Sequence, residues 1–428
     1  MKRILILLIL IQGMAMSQEI EKVNVNGVEV PLIFEQNSYL PIVSMQIVFK
    51  ASGALYDTKD GLANLSAKLL GEGTKKDGSV KFATKLEDNA ISLGSYAGIE
   101  TMAIELSSLK EQFPKGVKLL KSLLKEPNYT KDALKHIKKQ QIGSLTQKMS
   151  DFDYIASLGL KEILFKDTAM GRPRVGTIES VESITLKDIE QYIKSHIGID
   201  NAIVVIGGDI DLKEAKKIVK DTLSILEKVE VKEHKFIEIS DKNITKSFKE
   251  DTQQAYIYFG SPFDLKYNDK DKYIAKVAGF ILGGSGFGSR LMEEIRVKRG
   301  LAYSVYANFT YSHTTTYFGG YLQTKLENED KAKKLVAKII EDFVTNGITQ
   351  KELDATKEFL LGSEPLRNEA LNQRLNRSFK EYYNNNSLGY EKEQLKKIED
   401  LTLDEVNNFI KSHKEITSLN YSIVTAGK

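Results

Sequence analysis

Gly61-Leu-Ala-Asn64-Leu-Ser-Ala67-Lys68-Leu-Leu-Gly-Glu-Gly73-Thr74-Lys75 has the apolar spacing of an amphipathic helix closed by a glycine turn. The residues before it, Leu40 to Lys50, alternate like a half-buried strand, with Val43, Met45, Ile47 and Phe49 on one side and Ile42, Ser44, Gln46 and Val48 on the other. Further strands are predicted over Ser92 to Gly98, Met102 to Leu109 and Ala255 to Gly260, and helices over Glu111 to Leu124, Asp132 to Met149 and Asp330 to Asn346. Strands and helices mixed in this way predict an α+β protein.

Met1-Lys2-Arg3 followed by the apolar run Ile4 to Ile11 and small residues at Ala15 and Ser17 reads as a secretory leader over residues 1–17. The run is shorter than the roughly 20 residues of a membrane-spanning helix. An exported chain, in a bacterium a periplasmic one, is expected. A kept N-terminal anchor is the other reading of the same segment. With 0 Cys the chain has neither disulfides nor thiolate metal ligands. Lys+Arg 61 against Asp+Glu 58 leaves no field of one sign to attract nucleic acid, so proteins or peptides are the expected partners.

Thr185-Leu-Lys-Asp-Ile189-Glu-Gln-Tyr192-Ile193-Lys194-Ser195-His196 returns 217 residues later as Thr402-Leu-Asp-Glu-Val406-Asn-Asn-Phe409-Ile410-Lys411-Ser412-His413. Each copy precedes a strand ending in glycine, Asn201 to Gly208 and Leu419 to Gly427. A threonine helix cap, one apolar pattern and Ile-Lys-Ser-His at a single offset imply an internal duplication. Two domains follow, 18–228 and 251–428, with the charged, aperiodic segment 229–250 as linker.

The opening stretch resembles the frame G-[LIVA]-A-H-x-x-E-H-x-x-x-x-G-T of the M16 zinc peptidases, the group of pitrilysin, insulinase and the mitochondrial processing peptidase. Further matches in order are Phe165 to Thr177, the helix from Ser183, the strand to Asp209, Ile281-Leu-Gly283-Gly284-Ser-Gly286-Phe287-Gly-Ser289-Arg290-Leu291 and Arg296-Val-Lys-Arg-Gly300-Leu-Ala-Tyr303. The resemblance spans nearly the whole chain after the leader and suits the shorter bacterial branch. It implies two similar α+β domains of the M16, LuxS-like metallohydrolase fold, each an antiparallel-rich sheet with helices on one face.

In that frame Asn64, Ala67 and Lys68 stand where the first His, the Glu and the second His belong. A hydrolytic zinc needs three neutral or anionic protein ligands, an open position for water and a carboxylate base. The helix expected to carry the third ligand, Asp132 to Met149, has no Glu. The five histidines, His136, His196, His234, His313 and His413, lie too far apart in sequence to chelate as a local pair. His196 and His413 read as cations favoured at helix C-termini. No metal is expected on this chain.

The resemblance also implies a role for Arg296 and Tyr303. In the family an Arg and a Tyr with this spacing reach the zinc site of the opposing half, where a guanidinium can hold the substrate backbone and a phenol can donate to the oxyanion. Without the family, the segment reads as a basic helix end followed by a strand with Tyr303, Val305, Ala307, Phe309 and Tyr311 on one face. Lys298 and Arg299 read as solvated charges under both views. The expectation is a non-catalytic subunit, one half of a heterodimer with a zinc-bearing M16 chain, that lends Arg296 and Tyr303 to peptide hydrolysis. The alternative is a peptide-binding or scaffold protein outside any active site, using the strand near Ser92 to Gly98 as a pairing edge. Gly283 to Gly288 fits neither a nucleophile elbow nor a phosphate loop, and reads as a structural turn.

Overall fold

The computed structural model describes residues 18–240 and 242–427, and the leader read over 1–17 lies outside them. In the first half β1 (Glu19–Val25), β2 (Val28–Gln36), β3 (Ile42–Phe49), β4 (Ser92–Ala97), β5 (Met102–Leu109) and β6 (Ala202–Gly208) make a sheet ordered β1-β2-β6-β3-β5-β4. In the second, β7 (Thr245–Lys249), β8 (Gln254–Pro262), β9 (Ala302–Tyr311), β10 (Thr316–Lys325) and β11 (Asn420–Thr425) make a sheet ordered β7-β11-β8-β10-β9. All pairings are antiparallel except β2 with β6 and β7 with β11. Each parallel pair arises where the closing strand of a half inserts between two earlier strands.

The repeated helices close alike at both ends. Thr185 and Thr402 accept from the amides of Asp188 and Glu405, whose carboxylates return the bond to the threonine N–H, a reciprocal cap that satisfies two otherwise orphaned donors. At the other end His196 Nδ1 donates to the Tyr192 carbonyl at 2.9 Å and His413 Nδ1 to that of Phe409 at 2.8 Å.

The expected cation at His196 is not what the fold makes. The ring is buried and stacked on Tyr192 at 4.2 Å. Burial lowers its pKa, and Lys232 beside it adds to the effect. The bond to the Tyr192 carbonyl pulls the other way but does not win, because desolvating the imidazolium outweighs it.

β7 corrects the far end of the expected linker. Thr245–Lys249 runs parallel to β11, and earlier in the segment Ile237 and Ile239 pack with Leu160, Leu164 and Phe165. The pairing is made with a strand far along the chain, so charge and lack of period could not reveal it.

Helices on one face describe only part of the packing. One face of the first sheet buries Phe34, Met45, Ile47, Phe49, Val204 and Ile206 against its own helices. The other face, Ile33, Ile203 and Val205, is covered by Leu375 of Leu371–Tyr383, a helix from the second half. Reciprocally, Phe152–Leu164 from the first half lies against β8 and β11 of the second. Gly159 permits the approach, since a Cβ there would lie 2.4 Å from Ser422 Oγ and 2.6 Å from the Phe248 ring. The halves thus exchange helices.

Polar groups lock the exchange. Glu35, fully buried, receives Nε and Nη2 of Arg374 at 2.9 and 2.6 Å, both on Oε1, while Gln18 Nε2 donates to Oε2 at 2.9 Å, a charge-assisted pair. Glu100, in the β4–β5 turn, receives Tyr383 OH at 2.8 Å and the Thr314 hydroxyl, with His234 Nε2 at 3.4 Å. Burial pushes the Glu100 carboxyl upward, but the bonds from His234, Thr314 and Tyr383 win and take it down to about 2.

Candidate functional site

Two places carry the residues singled out by sequence. The first is the helix Leu62–Leu70, which buries Leu62, Ala63, Leu65, Ser66, Ala67, Leu69 and Leu70. Its start is fixed by Asp57, whose carboxylate accepts from Gly61 N at 3.1 Å and Ala63 N at 2.7 Å. Burial raises the Asp57 carboxyl to about 7, against the opposing pull of those amides and of Arg172.

On the polar side of this helix, Lys68 Nζ donates to Gln141 Oε1, and Gln141 Nε2 donates to the Val175 carbonyl at 3.0 Å. Gln141 lies in Lys131–Lys148, the helix where the resemblance places the third zinc ligand. Sequence reasoning looked there for a Glu and passed over this buried amide. Burial lowers the Lys68 pKa. Asn64 Oδ1 is buried without a hydrogen-bond partner, and Ala67 is fully buried.

These donors do not fit zinc. An ammonium, a methyl group and two amides supply neither imidazole nor carboxylate, and the ammonium repels a dication. Among the described residues no group of three His, Cys, Asp or Glu side chains can hold a metal ion. Ser95 Oγ of β4 donates to the Ala67 carbonyl at 2.7 Å, which ties the outermost strand of the first sheet to the same helix.

The second place is the turn from Met292–Val297 into β9. Lys298 N–H bonds the Glu293 carbonyl at 2.9 Å and Leu301 N–H reaches back to Ile295 at 2.9 Å, with Gly300 at a φ of 60° that glycine accepts without strain. These wide helical turns differ from the regular α-helix and recur at functional sites.

Beyond the turn, the β9–β10 register skips Tyr303: Ser304 pairs with Gln323 and Ala302 with Thr324. That irregularity turns Tyr303 out. It is 77% exposed, whereas Val305, Ala307 and Phe309 are buried. The single face expected for Tyr303 through Tyr311 is therefore broken at its first residue, as a bulge re-aims one side chain.

Arg296 and Tyr303 lie side by side, and Phe287 joins them. The guanidinium carbon of Arg296 stands 4.7 Å from the Phe287 ring centre and 5.0 Å from that of Tyr303, within cation–π range of both. Phe287 is 72% exposed. The signal for it was an aromatic residue between Gly286 and Gly288, noted only as part of a turn. Gly283 of the same loop is needed for packing, since a Cβ there would lie 2.6 Å from Ala307 N.

Arg296 has no carboxylate within 4 Å among the described residues. Its basic neighbours do: Lys298 Nζ and Arg299 Nη1 both bind Glu294, at 2.6 and 2.5 Å. Arg296 is thus a shaped, unneutralised cation between two aromatic rings.

Models of known families match both halves: Insulinase (Peptidase family M16) over residues 32–178 and Peptidase M16 inactive domain over 183–360. The chain belongs to the M16 peptidase family, and within it lacks the zinc-binding set at the expected helix. It is 42% identical to the Helicobacter pylori protein named Non-peptidase homolog YmxG, over 100% of this chain and 99% of that one. The beta subunit of the mitochondrial-processing peptidase of Dictyostelium discoideum is 23% identical, over 79% and 74% of the two chains. The fold is similar to a solved peptidase M16 inactive domain from Pseudomonas fluorescens, with a TM-score of 0.86 at 22% identity, covering 96% of this chain and 98% of that one.

Proposed function

We propose that this chain is an exported, non-peptidase M16 subunit that pairs with a zinc-bearing M16 chain and lends Arg296 and Tyr303 to peptide hydrolysis there. The observation that carries the reading is Arg296 itself, presented between Phe287 and Tyr303 with no carboxylate to neutralise it, while Lys298 and Arg299 beside it are paired. The Lys68–Gln141 bond, set where a metal would need anionic ligands, supports assigning the zinc to the other chain. So does the full-length likeness to a protein named a non-peptidase homolog.

In this role Arg296 orients the substrate backbone and Tyr303 OH donates to the oxyanion of the scissile carbonyl, which favours the transition state over the ground state. Turnover of a quenched peptide mixture decides it, measured for this chain, for the zinc-bearing chain and for the two together. Activity is expected in the mixture and reduced with Tyr303→Phe. Full activity of the zinc-bearing chain without this one would refute the pairing.

A second reading, a peptide-binding scaffold outside any active site, draws on β4. It is the outermost strand of its sheet, and such an edge can add an extended peptide through main-chain bonds. Peptide binding by the free chain, unchanged by Arg296→Ala, would favour it.

A further inference from the structure

Where the two halves meet, side chains from both and from the connecting segment close on the β9–β10 turn, Ser312 to Thr315. Glu100 comes from the first half, His234 and Ile237 from the connecting segment, and Tyr267 and Tyr383 from the second half. Within this junction the His313 ring lies 3.9 Å from the centre of the Tyr267 ring and 5.9 Å, edge to face, from that of Tyr383. Tyr383 ends the helix Leu371–Tyr383 that covers the first sheet, and its hydroxyl is bonded to Glu100 at 2.8 Å. His313 therefore backs the side chain through which that helix reaches the first half.

The two histidines of the junction differ in what a second proton would meet. His234 has an oxygen against each nitrogen, Tyr56 OH 2.9 Å from Nδ1 and the Thr314 hydroxyl against Nε2, so both N–H groups of an imidazolium would have an acceptor. His313 has no such arrangement, because its Nε2 is buried with no hydrogen-bond partner. A bare ring nitrogen is tolerable in the neutral imidazole. The imidazolium would bury an N–H and a charge with nothing to receive either.

The charged and titratable groups that face the ring are Glu100, His234, Lys272 of Lys272–Gly279, Tyr267 and Tyr383. Burial lowers the His313 pKa from its ordinary 6.5, and His234 and Lys272 push the same way, while Glu100 and a bond to the Tyr383 backbone oppose them. Both oxygens of Glu100 are already engaged, Oε1 by Thr314 and Oε2 by Tyr383. An opened junction takes the proton near 6.5 and a closed one resists it. The closed form is thus fully favoured above pH 6.5 and loses ground as the pH falls below that value toward the lower one of the seated ring.

We propose that His313 makes this junction an acid-released latch: taking a proton drives its ring out from between Tyr267 and Tyr383, and the end of Leu371–Tyr383 loosens from the first half. Without the ring, Tyr383 keeps its bond to Glu100 but loses the contact behind it. The latch stands independently of the subunit role, since it shares no residue with the Arg296 turn.

The test is amide hydrogen exchange of the full chain, corrected for its intrinsic pH dependence and read by mass spectrometry between about pH 7.5 and about pH 5.0. Protection in Leu371–Tyr383 is expected to fall by about tenfold or more over that range, while β3, inside the first sheet, keeps its protection. Glu100 stays out of this window, because its own carboxyl adds acid sensitivity only below 4.5. In His313→Phe, which keeps a ring between the tyrosines and takes no proton, the fall should be less than about twofold. Exchange of the histidine Cε1 hydrogens in the same wild-type samples gives the titration of His313 and of His196 separately and needs no variant. The midpoint of the loss in the helix should coincide with the titration of His313. Constant protection in Leu371–Tyr383, an equal loss in β3, a midpoint that follows His196 instead, or a fall retained in folded His313→Phe would each overturn the proposal.

Discussion

The Lys68 region and the Arg296 region present one cation each, and the fold treats them in opposite ways. Lys68 turns inward to Gln141, which is itself bonded to Val175, so its charge is committed within the first half. Arg296 is offered outward between two aromatic rings, one of them 77% exposed, with no acid opposite. A side chain satisfied inside the molecule serves the fold. A shaped cation left unneutralised at the surface is available to something outside it, and this contrast is the ground for the proposal that the subunit acts through its second half.

The largest effect should come from reversing the first member of that contrast. Asn64→His, Ala67→Glu, Lys68→His and Gln141→Glu together replace an ammonium and two amides by zinc donors on the helices that the Lys68–Gln141 bond shows to converge. Zinc affinity, followed by competition with a chromogenic chelator, is expected to rise by about four orders of magnitude, roughly 5.5 kcal/mol. No gain would mean that the two helices do not present the geometry of the family's metal site.

Both regions depend on the helices that the halves exchange. Arg374→Ala removes the cation paired with a fully buried Glu35 carboxylate, leaving it only the Gln18 amide, and is expected to cost about 3–5 kcal/mol in urea unfolding. A loss below about 1 kcal/mol would show that the exchanged helix is held by its apolar contacts alone.

Glu100 gives a smaller, pH-dependent effect. Its folded carboxyl titrates at about 2 against an ordinary 4.5. The stabilisation is therefore complete above pH 4.5 and is lost as the pH falls from there toward 2, because the unfolded chain takes the proton first. Glu100→Gln should remove roughly 1–3 kcal/mol at neutral pH and flatten the acid limb of the stability curve. An unchanged limb would put the acid sensitivity elsewhere.

The smallest stability effect sharpens the comparison most. Arg296→Ala and Lys298→Ala are both expected to move stability by no more than about 0.5 kcal/mol. Only the first should lower turnover in the mixed assay, since Lys298 is already neutralised by Glu294. Equal losses in both would reduce Arg296 to one surface charge among several.

Much of the fold was legible because local pattern and local chemistry agree in it. The alternation from Ile42 to Phe49 became β3 with Val43, Met45, Ile47 and Phe49 toward the core. The repeated Thr185 and Thr402 caps formed as expected. At the candidate site, the residue types were enough to see that Asn64, Ala67 and Lys68 make a poor zinc set. Phe287 and Gln141 were missed because neither belongs to a recognised pattern; each matters only through a neighbour distant in sequence.

The sequence by itself determined the strand and helix periods, the repeated threonine caps and the residue types at the positions where the resemblance places zinc ligands, since spacing, capping and ligand type are local properties of the chain. The tertiary structure alone decided that β7 completes a sheet, that each half covers the other's outer face with a helix, and that His196 is buried against Tyr192 with its pKa lowered. It also decided that a bulge swings Tyr303 out to face Arg296. Those outcomes depend on burial, register and close approach between segments up to hundreds of residues apart, which no local period encodes.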